Sequence, residues 1–179
     1  MRADHFMGDF SQDAQWVKAA RSGDRAAFGE LYRRYGPMVH GVLLAHVPYA
    51  EVDDLVQDVF LLALRHLDRL REPRAFAGWL LAIARNRAND FHRRPRAAQD
   101  FQGLAVSSDP EEQEARAALA AIHSLPEAYR ETLSLRLVEG MTGPEIAART
   151  GMTPASVRVN LHRGMKQLRE KLGKSASHE

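Results

Sequence analysis

Residues 142–168, TGPEIAARTGMTPASVRVNLHRGMKQL, decide how the C-terminal part of this chain is built. Thr142 and Glu145 form a T-x-x-E capping box, in which the threonine side chain caps the third helical amide and the glutamate reaches back. A short helix with Ile146 and Ala147 inward is expected behind it. Gly151 then allows a tight turn where a side chain would force a strained left-handed backbone. Thr153 is suited to cap the next helix, and Pro154 to its first position, where a missing N–H costs nothing. Ala147, Gly151 and Val157 stand at offsets of four and six. That is the pattern of a helix-turn-helix: a small residue where the helices touch, glycine in the turn, a β-branched residue under the second helix. Val157, Leu161, Met165 and Leu168 make the buried stripe of that second helix.

The other faces of its N-terminal half present Ser156, Arg158, Val159, Asn160, His162 and Arg163. A recognition helix carries such residues into the major groove. Arginine reads guanine O6 and N7 there, asparagine reads adenine, and valine can touch a thymine methyl. The competing reading is an αα-hairpin that merely packs, with Arg158 and Arg163 as a solvated face. Spacing, capping box, turn glycine and the exposed Arg/Asn set together favour DNA binding.

Working upstream, almost every segment reads as helix, and none shows sustained period-two alternation, so the fold class is all-α. Ser11 or Asp13 can cap a first helix carrying Trp16, Val17 and Ala20, which Gly23 ends. Asp24 caps a second with Phe28, Leu31, Tyr32 and Tyr35. Gly36-Pro37 is expected to break it and start a third through Val39, Val42, Leu43 and Val47. After Pro48 the longest stripe runs through Val52, Leu55, Val56, Val59, Phe60, Ala63, Leu64 and Leu67. Asp68 to Arg74 reads as a polar loop. Phe76, Leu80 and Ile83, joined by Trp79, then mark a helix that ends before Pro95. Residues 96–112, with Gly103, Ser107, Ser108 and Pro110, carry no stripe and read as a flexible linker. Helices resume at about Glu111 to Ser124 and Pro126 to Val138, with two more after Gly140. Two small helical domains follow, 1–95 and 113–179, each near the lower size limit and each with a modest core.

Composition narrows the function. The 179 residues are 45% hydrophobic and 27% charged, as in a folded soluble chain. With no cysteine, disulfides, thiolate metal sites and cysteine nucleophiles are excluded. The start mixes Asp4, His5 and Asp9 with apolar residues and no run of eighteen apolar residues exists. Neither a signal peptide nor membrane insertion is expected, and a cytoplasmic location is. The net charge is only +2, yet nine arginines face three acids between Arg65 and Arg96, a local excess suited to a polyanion. The eight histidines show no ligand spacing, and no Gly-rich phosphate loop or nucleophile–base pair is recognisable. No enzymatic activity, cofactor, metal or small-molecule substrate is expected.

Two clusters invite more than one reading. Glu51, Asp53, Asp54 and Asp58 are explained as acids at the positive end of a helix, as a protein-facing surface, or as a metal site. A hard cation would want more oxygen ligands and a turn glycine. Arg85, Asn86, Arg87 and Asn89 lie away from the stripe of Phe76, Leu80 and Ile83. They form a solvated basic face, or a groove in which arginines hold phosphates and asparagine meets a base edge of a melted strand. Trp79 is core, or a stacking platform.

With these segments in order, the chain resembles the extracytoplasmic-function group of bacterial sigma factors over about residues 12–95 and 113–173. Asp53-Asp54-Leu55-Val56-Gln57-Asp58-Val59-Phe60 looks like the family's D-L-V-Q-E-V-F signature. Trp79-Leu80-Leu81-Ala82-Ile83-Ala84-Arg85-Asn86 looks like its W-L-x-x-I-A-x-N stretch. Leu125-Pro126-Glu127 and the helix-turn-helix match its −35-reading domain. The resemblance implies polymerase binding by Asp53, Asp54, Leu55, Gln57, Asp58 and Phe60. It implies −10 DNA binding by Arg71, Arg74, Trp79, Arg85, Asn86, Arg87 and Asn89. For −35 DNA it implies Ser156, Arg158, Val159, Asn160, His162 and Arg163, although many relatives have a polar residue in place of Val159 and arginine in place of Asn160. The implied partners are core RNA polymerase (its β′ clamp helices and β subunit), promoter DNA and an anti-sigma factor. A stand-alone helix-turn-helix regulator is the alternative, but would have no use for the two N-terminal signatures.

Overall fold

The computed structural model describes residues 4–93 and 110–175, and most of the segment read as a linker lies outside the described residues. The described residues form eight α-helices and two single-turn 3-10 segments, without strands. The helices are α1 (Asp4–Arg21), α2 (Arg25–Leu44), α3 (Tyr49–Arg65) and α4 (Phe76–Arg93), then α5 (Pro110–His123), α6 (Glu127–Leu137), α7 (Gly143–Thr150) and α8 (Pro154–Ser175). Helix α5 thus begins inside the segment read as linker.

The Asp24 carboxylate caps α2 by accepting the Ala26 and Ala27 amides, after Gly23 turns the chain at φ +93°. The break expected at Gly36-Pro37 does not occur, because Pro37 lies inside a continuous α2. A mid-helix proline costs ~3 kcal/mol, but Leu31, Tyr35, Met38, Val39, Val42 and Leu43 are all buried along the same helix. At roughly 1.5–3 kcal/mol per large buried side chain, packing outweighs the lost hydrogen bond. The first helix also starts earlier than its expected caps. Asp13 is interior to α1 and buried, and its carboxylate accepts the Tyr35 hydroxyl at 2.5 Å and faces Arg34 Nε at 3.1 Å. Burial pushes the Asp13 carboxyl up from its ordinary value, against the Tyr35 hydrogen bond.

Between α3 and α4 the expected polar loop is pinned. Leu67 and Leu70 are buried, Arg21 Nε donates to the Leu67 carbonyl at 3.0 Å, and the Glu72 side chain accepts the Arg74 amide. In the C-terminal half Ile122, Leu125, Leu133 and Leu168 form a small core of their own. Helices α6 and α8 approach closely at Gly164, where an added Cβ would lie 3.0 Å from Leu133 Cδ1 and 3.1 Å from Tyr129 Cβ. Gly164→Leu is therefore expected to lower stability by about 1–3 kcal/mol. Thermal unfolding checks this, and an unchanged or raised Tm would refute the close approach.

Besides that small cluster, the two halves share the larger core. Helix α2 lies against α6, and α4 against α7. Leu135, Met141, Ile146, Ala147 and Val157 belong to the same buried cluster as α2, α3 and α4. The contact is close at Gly41, where a Cβ would sit 2.8 Å from both Leu135 Cδ2 and Glu139 Cγ.

Candidate nucleic-acid interface and protein-binding groove

The helix-turn-helix has the local chemistry that its sequence requires. The Glu145 amide donates to Thr142 Oγ1 at 3.4 Å, and the Thr142 amide donates to the Glu145 carboxylate at 2.7 Å. The Thr142 hydroxyl, which donates to the same carboxylate at 2.7 Å, and then the Thr142 amide hold the Glu145 carboxyl below its usual value. Gly151 turns the chain at φ 75°, ψ 7° and donates to the Ala147 carbonyl at 3.0 Å. Thr153 Oγ1 accepts the Ser156 amide at 3.1 Å, and the two hydroxyls are 2.8 Å apart. Ser156 is thus tied into the cap of α8. Val157 is buried beneath, while Arg158, Val159, His162 and Arg163 are exposed and Asn160 is half-buried. Val159, 44% exposed, leaves an apolar surface between Arg158 and Arg163, which lie about one and a half helical turns apart. These side chains form a continuous basic and apolar face free to enter a groove.

On α4 the structure separates the residues expected to touch −10 DNA. Asn86 and Asn89 are exposed, as are Arg71 and Arg74 ahead of the helix. Trp79 is half-buried, its ring 6.0 Å from that of Phe76. Arg87 is ion-paired with Asp58 of α3, so a residue expected at the −10 strand and one expected at polymerase hold each other. Arg85 crosses to the other half of the chain. Its Nε and Nη2 donate to the two Glu131 carboxylate oxygens at 2.9 and 2.6 Å, and His46 Nε2 lies 3.0 Å from Oε1.

Glu131 is only 6% exposed. Burial alone would push its carboxyl up, but the hydrogen bonds and charges of Arg85 and His46 outweigh this and hold it at about 2. A depressed carboxylate contributes stability that is complete above its unfolded value, here about 4.5, and is lost as pH falls through about 2. The docking of the halves is therefore expected to weaken as pH falls from about 4.5 towards about 2. Glu131→Gln should be less stable at neutral pH and flatter across that window, which unfolding midpoints measured against pH will test. Equal slopes for the two proteins would contradict the assignment.

Of the residues expected at polymerase, Asp53, Asp54 and Gln57 are exposed, Asp58 is half-buried, and Leu55 and Phe60 are buried. Phe60 lies 3% exposed under the ring of Tyr32, 4.4 Å away. Above it opens a groove of about 230 Å³ lined by Phe28, Tyr32, Gln57, Phe60, Leu61 and Leu64. Leu64, read from the sequence as part of the buried stripe, is 47% exposed, and Leu61 is 51% exposed. No helix among the described residues covers that edge of α3, so its apolar positions end on the surface. Exposed leucines and a tyrosine over a rigid aromatic floor are the features of a docking site for another protein. Sequence reasoning missed Leu61 and Tyr32 as site residues. The signal was an apolar set on α3 wider than one core-facing stripe. It also missed Glu131, although its place four residues before Leu135 marks a carboxylate on a buried face.

The described residues are all helical, with a helix-turn-helix whose second helix has an exposed basic face and, on α3, an exposed apolar groove. Comparison with known proteins defines the family. Residues 31–98 match Sigma-70 region 2 and residues 115–168 match Sigma-70, region 4. The chain is 35% identical to the RNA polymerase sigma factor CarQ of Myxococcus xanthus, over 86% of this chain and 93% of CarQ. It is 31% identical to the ECF RNA polymerase sigma-E factor of Escherichia coli K12, over 93% of this chain and 97% of that protein. The solved structure of CnrH in complex with the cytosolic domain of CnrY is similar at a TM-score of 0.65 and 29% identity, covering 91% of this chain and 98% of that one. The chain belongs to the extracytoplasmic-function group of sigma factors. It is an alternative sigma factor that directs transcription initiation.

Proposed function

We infer that this sigma factor binds core RNA polymerase through the α3 groove and the acids beside it, captures the −10 strand with α4 and the loop before it, and reads −35 duplex with α8. The observation that carries this reading is the exposed face of Arg158, Val159, His162 and Arg163 above a buried Val157. Asp53, Asp54, Gln57, Leu61 and Leu64 meet the polymerase, with the β′ clamp helices as the partner the family resemblance implies. Arg71, Arg74, Asn86 and Asn89 approach the melted strand, with phosphates neutralised by arginine and a base edge met by asparagine. The factor supplies binding and strand capture, and nucleotidyl transfer remains the polymerase's chemistry. Domains 1–95 and 113–179 are the working units, with 96–112 between them as a tether that lets one binding event raise the effective concentration for the other.

A stand-alone regulator would leave residues 31–98, which match Sigma-70 region 2, without a role. An anti-sigma partner is a further part of the proposal: CnrH, which this chain resembles, is held in a complex by the domain of a second protein. A cytoplasmic location fits these partners, and no helix among the described residues is long and apolar enough to cross a membrane. The test is reconstitution. Purified chain should bind core polymerase and make transcription from genomic fragments depend on its addition. Sequence-specific binding to duplex by the free chain, with no effect on core polymerase, would overturn the reading.

A further inference from the structure

Helix α4 has little apolar packing to fix the half that carries Asn86 and Asn89. Phe76, Leu80 and Leu81 anchor its first half in the core, but from residue 82 onward only Ala84 and Ala88 are buried. Ile83 and Phe91 are partly buried against the same core. Alanines present low ridges to a facing helix, so they resist rolling less than interdigitated leucines do. Polar ties on the flanks take over that task. Arg87 pairs with Asp58 of α3 on one flank, and Arg85 grips both Glu131 oxygens on the other. At about 100° per residue the two arginines point about 160° apart, with Asn86 between them on the outward face. Further along, His92 Nε2 lies 2.8 Å from the His46 carbonyl.

The pair of Asp58 and Arg87 lies wholly within the N-terminal half. The Arg87 side chain is mostly buried, and its Nε is buried without a hydrogen-bond partner. Reaching a phosphate would pull that stem out of its packing and strip Asp58 of its charge partner. The half-exposed Asp58 points about 120° away from Leu64 around α3 and does not line the groove there. Each residue is turned toward the other rather than toward the partner that the family resemblance assigns to it.

We propose that Asp58 and Arg87 are positioning residues: their ion pair sets the roll of the second half of α4 on α3 and so aims Asn86 and Asn89 at the melted strand, a role that rests on the reading of α4 given above. Neither side chain touches polymerase or DNA. A binding constellation must be held within about 0.5 Å by contacts behind it, and a charge-assisted hydrogen bond is directional where an alanine face is not. The pair also joins the strand-capturing helix to the helix that carries Asp53, Asp54 and Gln57, so both surfaces share one frame. Because Asp58 is half-exposed, the pair contributes little to overall stability. Its loss blurs the aim of α4 and leaves the chain folded.

The test uses full-length Asp58→Asn, Arg87→Gln and the double variant, each reconstituted with core polymerase and checked by circular dichroism. Capture of core polymerase is measured beside base preference in a library randomised over the −10 element, at two salt concentrations. All three should capture core polymerase as the wild type does. Preference should fall on the order of 10-fold at the positions that Asn86→Ala also affects, with an unchanged salt slope, and the double variant should be no worse than either single one. Loss of core capture in Asp58→Asn would make Asp58 a polymerase contact and overturn the proposal. A uniform loss in Arg87→Gln, with the salt slope reduced by about one, would make Arg87 a phosphate contact and overturn it too. Additive losses, or preference equal to the wild type, would do the same. Should a variant fail to fold, Asp58→Glu decides, because it keeps the charge and displaces it by one methylene. Its −10 preference should fall with core capture intact, and wild-type preference would sink the positioning role. A wild-type holoenzyme without any −10 preference would instead refute the reading of α4 itself.

Discussion

Leu61→Glu combined with Leu64→Glu is expected to abolish capture of core RNA polymerase while leaving the chain folded. Both leucines are about half exposed, so neither change buries a charge or opens a cavity. In a complex the same positions would be desolvated over the floor of Phe28 and Phe60, and a carboxylate there would have no partner. Central apolar anchors of an interface are worth ~2–4 kcal/mol each on truncation, so two charged replacements should weaken binding by at least about 100-fold. Phe60→Ala is a poorer probe. That ring is buried against Phe28 and Tyr32, and removing a buried phenylalanine costs ~3–5 kcal/mol of stability. Pull-down of core polymerase, with circular dichroism alongside, makes the measurement. Wild-type capture by a folded double variant would remove α3 from the polymerase interface.

The second large effect is at the recognition helix. Arg158→Ala should relax the choice of base at one or two neighbouring −35 positions and leave the −10 preference unchanged. Arg158 follows the buried Val157 by one residue and lies near the N-terminus of α8, the end that helix-turn-helix proteins place in the groove. A bidentate contact to guanine is worth roughly 1–3 kcal/mol of discrimination, about 5- to 150-fold. A phosphate contact would lower affinity for every sequence alike and reduce the salt slope by about one. Arg163 lies further along α8 and is also exposed, so the same pair of measurements on Arg163→Ala assigns it to base or backbone. Selection from a −35 library at two salt concentrations separates the two outcomes. A uniform loss would reassign Arg158 to the backbone.

The helix-turn-helix was legible from sequence because each of its features is local. The capping box, the left-handed Gly151 and the Thr153 cap act within four residues of themselves, and all three are present as read. Pro37 was misread as a break because a local rule was applied where the burial of a long stripe outweighs it. Asp13 looked like a cap because its partners, Tyr35 and Arg34, lie more than twenty residues away. The contact between the halves was illegible for the same reason. Arg85 and Glu131 are 46 residues apart, and the bond between them crosses a segment whose sequence carries no periodic signal. The α3 groove was half legible: the D-L-V-Q-D-V-F stretch marked α3, but periodicity alone could not tell that Leu64 would end on the outside.

The most direct measurement of the central claim is start-site sequencing after in vitro transcription by reconstituted holoenzyme on a library randomised across both promoter elements. Two separate blocks of base preference should emerge upstream of the starts, with Arg158→Ala relaxing one or two positions of the upstream block alone and Asn86→Ala changing the downstream one alone. A single block, or a palindromic pair of half-sites about one helical turn apart, would contradict it.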